Sequence, residues 1–202
     1  MLGNSFQINY VIVRPQNSVK FTLRCEKNEE RIYHLTAKYG YYTKKAKKRY
    51  LTIASKKGYL NAVKSLIGVG ADVHAYHDSA LRWASGGGHL EVTKYLMGVG
   101  ANVHSGNDYA LRLASENGHL EVVKYLVLEG ANVHVDNDHA LRWASMHGHL
   151  EVVKYLVLEG ANVHTWDDCA LRWASRYGHL EVVKYLVGAG ANIHAGGDGA
   201  AL

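Results

Sequence analysis

The sequence GHLEVVKYLV occupies residues 118–127 and recurs unchanged at 148–157 and 178–187. A copy with Thr93 and Met97 in place of valine lies at 88–97, and a weaker version begins at Gly58. The sequence ALRWAS recurs in the same way at 80–85, 140–145 and 170–175, and Leu113 replaces its tryptophan at 110–115. These copies are all offset by multiples of 30 residues, and such a fixed period predicts a solenoid of stacked repeats.

Each 30-residue unit predicts two helices and a loop. Asp108 is suited to cap a short helix that runs from Tyr109 to about Asn117, and Gly118 ends this helix. A second helix starts near residue 119 and stops at Gly130, and its apolar side consists of Leu120, Val123, Leu126 and Val127. Residues 131–137 then form an extended loop, and the first helix contributes the facing residues Leu111, Leu113 and Ala114. The predicted fold is therefore all-α.

The repeats divide the chain into two regions. About five repeats occupy residues 51–202, and the last of them is incomplete. They must stack to be stable, because half a dozen buried side chains at about 2–3 kcal/mol each do not offset the ordering of about 30 residues. Residues 1–50 do not follow the repeat, so we predict an irregular basic segment there that includes a degenerate capping unit.

The repeat sequence GHLEVVKYL followed by GANV resembles the ankyrin repeat over about residues 50–202. The resemblance implies helix–turn–helix units stacked side by side, with projecting loops and a concave face that binds proteins. Two features depart from the family pattern, since the usual period is 33 residues and DYALR at 108–112 replaces the usual Thr-Pro-Leu-His. This 30-residue type resembles the ankyrin families encoded by giant DNA viruses of amoebae, and its shorter loops imply blunter projections.

Composition predicts an intracellular protein. The two cysteines, Cys25 and Cys169, lie far apart and support neither a disulfide framework nor a zinc pattern, which favours a reducing compartment. No run reaches the roughly 18 apolar residues of a membrane span, and residues 1–7 lack the layout of a signal peptide. We expect a cytoplasmic or nuclear location, in the host cell if the protein is viral, and no membrane contact.

Positive charge is concentrated near the start of the chain. Residues 1–64 contain 14 Lys/Arg and 3 Asp/Glu, whereas residues 65–202 contain 9 and 15. Within the first region a basic cluster is formed by Lys44, Lys45, Lys47, Lys48 and Arg49. Three interpretations stay open for this cluster: a solvated helix face, a nuclear-import signal, or a contact surface for nucleic acid or an acidic partner.

Histidine recurs in two rows, which are His89, His119, His149 and His179, and His74, His104, His134, His164 and His194. Zinc ligands must all lie about 2.0–2.1 Å from the metal, whereas stacked units are separated by about 8–10 Å, so one row cannot surround one ion. We therefore expect no metal site. The histidine of each GHL sequence is instead predicted to bond backbone at the start of its helix and to lock neighbouring repeats.

Two other rows also predict structural roles. Arg82, Arg112, Arg142 and Arg172 each follow an aspartate by four residues, which is the spacing of an i,i+4 ion pair within a helix. Trp83, Trp143 and Trp173 interchange with Leu113, which favours a packing position in the core over a base-stacking platform. Neither a nucleophile–base–orienter set, a phosphate loop nor a paired-carboxylate motif is present, so we predict a non-enzymatic protein without a cofactor.

Positions that differ between repeats are predicted to contact a partner protein, whereas the alternative is a nucleic-acid-associated or nuclear-targeted protein that acts through the basic cluster. They cluster in the loop and helix start and at the end of the first helix, a distribution that favours binding through one surface. The predicted contact residues are Tyr76, His77, Ser79, Asn107, Tyr109, Glu116, Asn117, Asp136, Asn137, His139, Met146, His147, Trp166, Asp167, Arg176 and Tyr177. For Trp166, partner contact and packing on an adjacent loop are both open.

The last repeat is predicted to leave an apolar face uncovered. The sequence stops shortly after the start of another first helix, so Leu180, Val183, Leu186 and Val187 lose a neighbour on one side. We expect either a shortened gene product or end-to-end self-association through this end.

Overall fold

The computed structural model describes residues 43–196, which form ten α-helices in five consecutive pairs and no strand. The first helices of the pairs are α1 (Lys44–Lys56), α3 (Ala75–Gly86), α5 (Ser105–Glu116), α7 (Val135–Met146) and α9 (Thr165–Arg176). The second helices are α2 (Leu60–Gly68), α4 (Leu90–Gly98), α6 (Leu120–Leu128), α8 (Leu150–Leu158) and α10 (Leu180–Gly188). The predicted all-α solenoid is confirmed.

Glycine ends both helices of a pair, as predicted. After α5 the chain enters the left-handed region at Gly118, with φ +76°, and the amide of His119 donates to the carbonyl of Ala114 at 2.9 Å. After α6 the same arrangement recurs at Gly130, where the Ala131 amide donates to the Leu126 carbonyl at 2.9 Å. These bonds satisfy carbonyls that the end of a helix otherwise leaves unpaired.

One continuous core runs through the five helix pairs. Each first helix contributes a buried leucine and a buried alanine, such as Leu111 and Ala114, and each second helix contributes residues such as Val122, Val123 and Leu126. The alanine lets adjacent first helices approach closely, and these helices make dense contacts, whereas successive second helices meet at few points. The stack therefore curves, and the first helices form its concave face.

The predicted extended loop is wrong in its second half, because α3, α5, α7 and α9 each contain three consecutive left-handed residues near their start. In α7, Asp136, Asn137 and Asp138 have φ values of 51°, 55° and 53°. Left-handed backbone costs roughly 1–2 kcal/mol per ordinary residue, and glycine, asparagine and aspartate tolerate it best. These residue types fill most positions of the four left-handed turns, and Tyr76 and Trp166 are bulky exceptions.

Arginine side chains hold the carbonyl groups of the left-handed turns. Arg142 donates from Nε to the Asn137 carbonyl at 2.9 Å and from Nη2 to the Asp136 carbonyl at 2.8 Å. Arg82 and Arg172 make one such bond each, and Arg112 forms an ion pair with Asp136 of the next repeat. The predicted i,i+4 Asp–Arg pairs are therefore wrong within residues 43–196.

The buried aspartate of each turn connects two repeats. Asp138 Oδ1 accepts from His134 Nδ1 at 3.0 Å and from the amide of Asn162, in the next repeat, at 3.0 Å. Its second oxygen accepts from the Thr165 hydroxyl at 2.7 Å. The predicted N-cap role is wrong, because the left-handed backbone turns the carboxylate away from its own helix. We call this arrangement the loop ladder, formed by His74, His104, His134 and His164 with Asp78, Asp108, Asp138 and Asp168.

The histidine that precedes each second helix forms a separate helix-end ladder. His119 donates from Nε2 to the Gly86 carbonyl at 3.1 Å, and His149 to the Glu116 carbonyl at 2.9 Å. His89 and His179 make the same bond. Each histidine therefore reaches the last turn of the first helix in the preceding repeat. The predicted backbone bond and the locking of neighbours are confirmed, but the acceptor lies in the preceding repeat rather than at the start of the same helix.

The concave face as candidate binding site

The ladders use the residue types that a metal or catalytic site needs. Among residues 43–196, no group of three or more His, Cys, Asp or Glu lies close enough to hold a metal ion. The carboxylates of the loop ladder are buried against histidine, amide and hydroxyl donors, so they are engaged in structure. No helix in this part of the chain is long and apolar enough to cross a bilayer.

A row of large side chains crosses the concave face, so the core position predicted for Trp83, Trp143 and Trp173 is wrong. Trp83 is 41% exposed, and Leu113, Trp143 and Trp173 are half-buried. The core side of α3 is set by Leu81 and Ala84, and a residue two positions after Leu81 points about 200° away from it. That spacing was visible in the sequence, and it identifies a Trp row formed by Trp83, Leu113, Trp143 and Trp173.

The row is most extensively stacked on α7. Trp143 lies between His139 and His147, with ring centroids 5.2 Å and 5.7 Å away, and its edge meets Trp173 at 5.9 Å. The three residues of α7 are spaced by four, which places them along one side of the helix. The stack presents a rigid aromatic surface, and rigid aromatic side chains lose little conformational entropy when a partner binds.

His139 is held neutral at physiological pH. Burial lowers its pKa to about 4, the positive charges of Arg112 and Arg142 act in the same direction, and Asp136 opposes them. Its Nδ1 is buried without a hydrogen-bond partner among the described residues. Burial also lowers the pKa of His149, whose bond to the Glu116 carbonyl acts in the opposite direction.

The predicted contact residues occupy two borders of the Trp row. Turn-tip residues lie at the start of the first helices, helix-end residues lie at the opposite end, and the Trp row runs between them. Most are exposed: Tyr76, His77, Asn107, Asn117, Asp136, Asn137, His147, Trp166, Asp167, Arg176 and Tyr177. Tyr109, Glu116, His139 and Met146 are half-buried. The prediction for Ser79 is corrected, because its side chain is buried and its hydroxyl lies 2.7 Å from that of Thr52.

Trp166 combines packing and exposure. Its ring centroid lies 4.1 Å from the Arg142 guanidinium of the preceding repeat, so one face packs on a neighbour. The residue is nevertheless 58% exposed, and its φ of 52° is a left-handed value that bulky residues seldom adopt. It therefore presents an aromatic surface at a strained turn tip.

The basic cluster is only partly free. Lys47 donates to the Val69 carbonyl, and Lys48 pairs with Asp72 at 3.1 Å, so these two residues hold α1 on the end of α2 and on the loop that follows it. Lys44, Lys45 and Arg49 are exposed and have no partner among residues 43–196. The nuclear-import and nucleic-acid interpretations of the cluster stay predictions.

The last described repeat exposes apolar residues, including Leu180, Val187 and Ile193. Residues 197–202 follow directly in the sequence and lie outside the described residues. End-to-end self-association therefore stays a prediction, as does the division of the chain at residue 50, although α1 begins at Lys44 and pairs with α2.

The fold and its face define a class: a helical repeat protein whose concave face carries a row of large, mostly aromatic side chains. A family model described as ankyrin repeats (3 copies) matches residues 51–137 and 111–196. The chain belongs to the ankyrin repeat family. Ankyrin repeats are generally modules for protein–protein interaction, and their fold is typically non-enzymatic. Comparison with curated proteins gives no match.

Proposed function

We propose that this chain is a non-enzymatic scaffold that binds a partner protein across the turn tips, the Trp row and the helix ends of its concave face. The observation that carries the proposal is the division of labour between positions. Most recurring residues are used in the core and the two ladders, whereas the exposed turn-tip and helix-end positions that vary lie on one surface beside the recurring Trp row. A surface whose side chains vary while its support stays constant is suited to recognise one partner.

The chemistry of this surface favours a protein partner. Tyrosine, tryptophan and arginine are the residue types most enriched at interface hot spots, and the face carries Tyr76, Trp83, Trp143, Trp166 and Tyr177. Acidic side chains at the turn tips and in the helix-end row, namely Asp136, Asp167 and Glu116, would repel a phosphate backbone. We therefore rank nucleic acid second.

Trp166 supports the proposal through its backbone. Strained residues persist where they serve a function, and a tryptophan in the left-handed region is strained. The same register holds Tyr76, which is bulky as well, and Gly106, Asp136 and Gly196, which suit a left-handed turn better. Tryptophan at this point costs stability that binding can justify.

The test is affinity capture with variants that the chain itself suggests. Trp166→Gly and Trp143→Leu combined copy the residues of the 105–116 helix at the same registers, and the control Leu128→Gly plus Leu158→Gly copies Gly98 and Gly188. Leu128 and Leu158 are 81% exposed on second helices, away from the concave face. We expect the first variant to lose the partner and the control to retain it, with both folded by circular dichroism.

Trp166→Gly alone should not lower the melting temperature. Glycine removes the left-handed backbone penalty of tryptophan, which is roughly 1 kcal/mol. This gain offsets the loss of the Trp166–Arg142 cation–π contact, which is worth roughly 0.5–1 kcal/mol. A partner retained by the concave-face variant would refute the proposal. Nucleic acid captured in place of protein, and lost when Lys44, Lys45 and Arg49 become glutamine, would transfer the function to the basic cluster.

We further propose an intracellular location, in the host cell if the protein is viral. The buried, unpaired thiol of Cys169 and the resemblance of the 30-residue type to ankyrin families of giant DNA viruses support this proposal. Fractionation of cells that express the tagged chain would test it, and recovery from the culture medium would contradict it.

A further inference from the structure

The second repeat leaves its member of the Trp row more exposed than the later repeats do, since Trp83 is 41% exposed and Trp143 and Trp173 are half-buried. Gly86 and Gly87 stand at the registers that hold Met146 and His147 two repeats later. On α7 the His147 ring stacks on Trp143, whereas the corresponding face of Trp83 meets no side chain from residue 87. We call this exposed part of Trp83 the Trp83 notch. It is bordered by the Leu113 side chain and the His89 ring, which a Cβ added at Gly86 or Gly87 would meet at 3.2 Å and 2.7 Å.

Positive charge borders the Trp83 notch on one side. Lys56 lies at the end of α1 with its Nζ 4.4 Å from the Trp83 ring centroid, and Lys57 follows it. Both lysines are exposed, and no carboxylate among residues 43–196 pairs with either. The nearest acidic residue in the same helix-end row is Glu116, which lies one repeat beyond Gly86 and two repeats beyond Lys56, so stacking distances place it roughly 20 Å from Lys56.

We propose that the Trp83 notch binds an acidic segment of the partner protein, with an aromatic or aliphatic side chain against the indole and an adjacent carboxylate on Lys56 and Lys57. The proposal rests on the proposed function and specifies the chemistry of its partner. Charge complementarity selects the occupant, because an exposed indole with the Lys56 ammonium 4.4 Å from its ring centroid, and the exposed Lys57 next in sequence, attracts an apolar residue flanked by acids. A basic segment is repelled, and a phosphate backbone that followed the row would reach Glu116.

The probe is the peptide acetyl-GDDFDDG-amide, with acetyl-GKKFKKG-amide and acetyl-GDDGDDG-amide as controls. The readout is the indole N–H resonances of the full chain, which has four tryptophans, assigned by single Trp→Phe variants. We expect the first peptide to shift the Trp83 resonance and leave that of Trp166 in place. Both control peptides should bind at least about tenfold more weakly, because a buried aromatic anchor and its paired charge dominate small interfaces.

Two variants test the contacts separately. Gly86→Met fills the notch with the residue of register 146, and it removes glycine from a helix, so the melting temperature should stay or rise. Its Cβ would lie 3.2 Å from the Leu113 side chain, which needs a small adjustment that the later repeats make. We expect this variant to weaken binding at least about tenfold and Lys56→Gln about threefold. Gly98→Leu, the matched control on a second helix, should bind normally.

If the acidic peptide binds Lys56→Gln as tightly as the native chain, the role assigned to the Lys56 charge is wrong. If the acidic peptide does not shift the Trp83 indole resonance, the notch is not its binding site. A larger Trp83 shift with an oligo-dT of about 12 nucleotides than with the acidic peptide would replace the protein segment by nucleic acid. Failure here is distinguishable from failure of the proposed function. If capture of the partner is lost in the Trp143 and Trp166 variant but is unchanged in Gly86→Met, the proposed scaffold function stands and only the proposal for the notch is wrong.

Discussion

The loop ladder and the helix-end ladder contain the same residue at the same period and join the same neighbours, yet they work in opposite ways. In the loop ladder the histidine is exposed, and the buried carboxylate of Asp138 makes the connection to the next repeat. In the helix-end ladder the half-buried histidine itself reaches the preceding repeat. Periodicity therefore identifies a structural row, but burial decides which member of the row stabilises the stack.

The largest effect should come from removing the carboxylate of the loop ladder. Asp138→Ala leaves His134, the Asn162 amide and Thr165 without their acceptor, so we expect a loss of about 3 kcal/mol in the free energy of unfolding. Urea denaturation followed by circular dichroism measures it. Asp138→Asn keeps one acceptor oxygen and should lose about half as much. Equal stability of the alanine variant and the native chain would contradict the central role of the carboxylate.

The second prediction tests the helix-end ladder with two glycines that have the same φ, only one of which lies against a histidine ring. A Cβ at Gly118 would lie 2.5 Å from the His149 ring, whereas a Cβ at Gly178 meets nothing within 4 Å, and both have φ +76°. Gly178→Ala should cost only the left-handed penalty of roughly 1 kcal/mol, and Gly118→Ala about 1–2 kcal/mol more. Adding His149→Ala should abolish the difference in thermal melts. A difference that persisted would exclude the histidine ring as its cause.

The third prediction compares the two histidines directly. His149→Ala removes a half-buried bond and leaves the Glu116 carbonyl unpaired, so we expect a cost of about 1–2 kcal/mol. His134→Ala removes an exposed ring whose aspartate keeps two other donors, and we expect about 0.5 kcal/mol. Chemical denaturation of the two variants in parallel decides the matter. Reversed magnitudes would show that burial is the wrong criterion.

The smallest effect concerns His139, which belongs to neither ladder. Its folded-state pKa of about 4 lies below the ordinary value of 6.5, so the unfolded chain takes up a proton first as the pH falls. Its stabilisation is complete above pH 6.5 and is lost between pH 6.5 and 4. After a discount for its solvent exposure, we expect about 1 kcal/mol. Melting temperatures across this range should fall less in His139→Tyr, which copies Tyr109.

Sequence reasoning predicted what depends on local periodicity. The fold class, the helix ends at Gly118 and Gly130 and the contact between neighbours through His149 follow from spacing, capping chemistry and repetition. The variable positions gave a set of candidate contacts of which most are exposed, because repeats share one environment at each register.

The errors arose where a partner lies one repeat away or the backbone is unusual. Asp138 was assigned to its own helix and to Arg142, since both lie at familiar local spacings, but the left-handed backbone directs its carboxylate to Asn162. The Trp row was placed in the core because tryptophan and leucine interchange there, although its angular distance from Leu81 indicated the surface. The notch at Trp83 exists because Gly86 and Gly87 have no side chains. Its location is therefore missed when a sequence is searched only for functional side chains.

Both ladders join residues at fixed separations across one repeat boundary: the aspartate reaches 24 positions forward, and the histidine reaches 33 positions back. Because the aspartate, asparagine and histidine of these bonds recur in successive units, excision or duplication of a whole internal unit recreates the aspartate–amide and histidine–carbonyl bonds at the new junction. The length of the array can therefore change in steps of 30 residues without breaking either ladder. The concave surface can then change by gain, loss or reordering of complete units, and not only by point mutation.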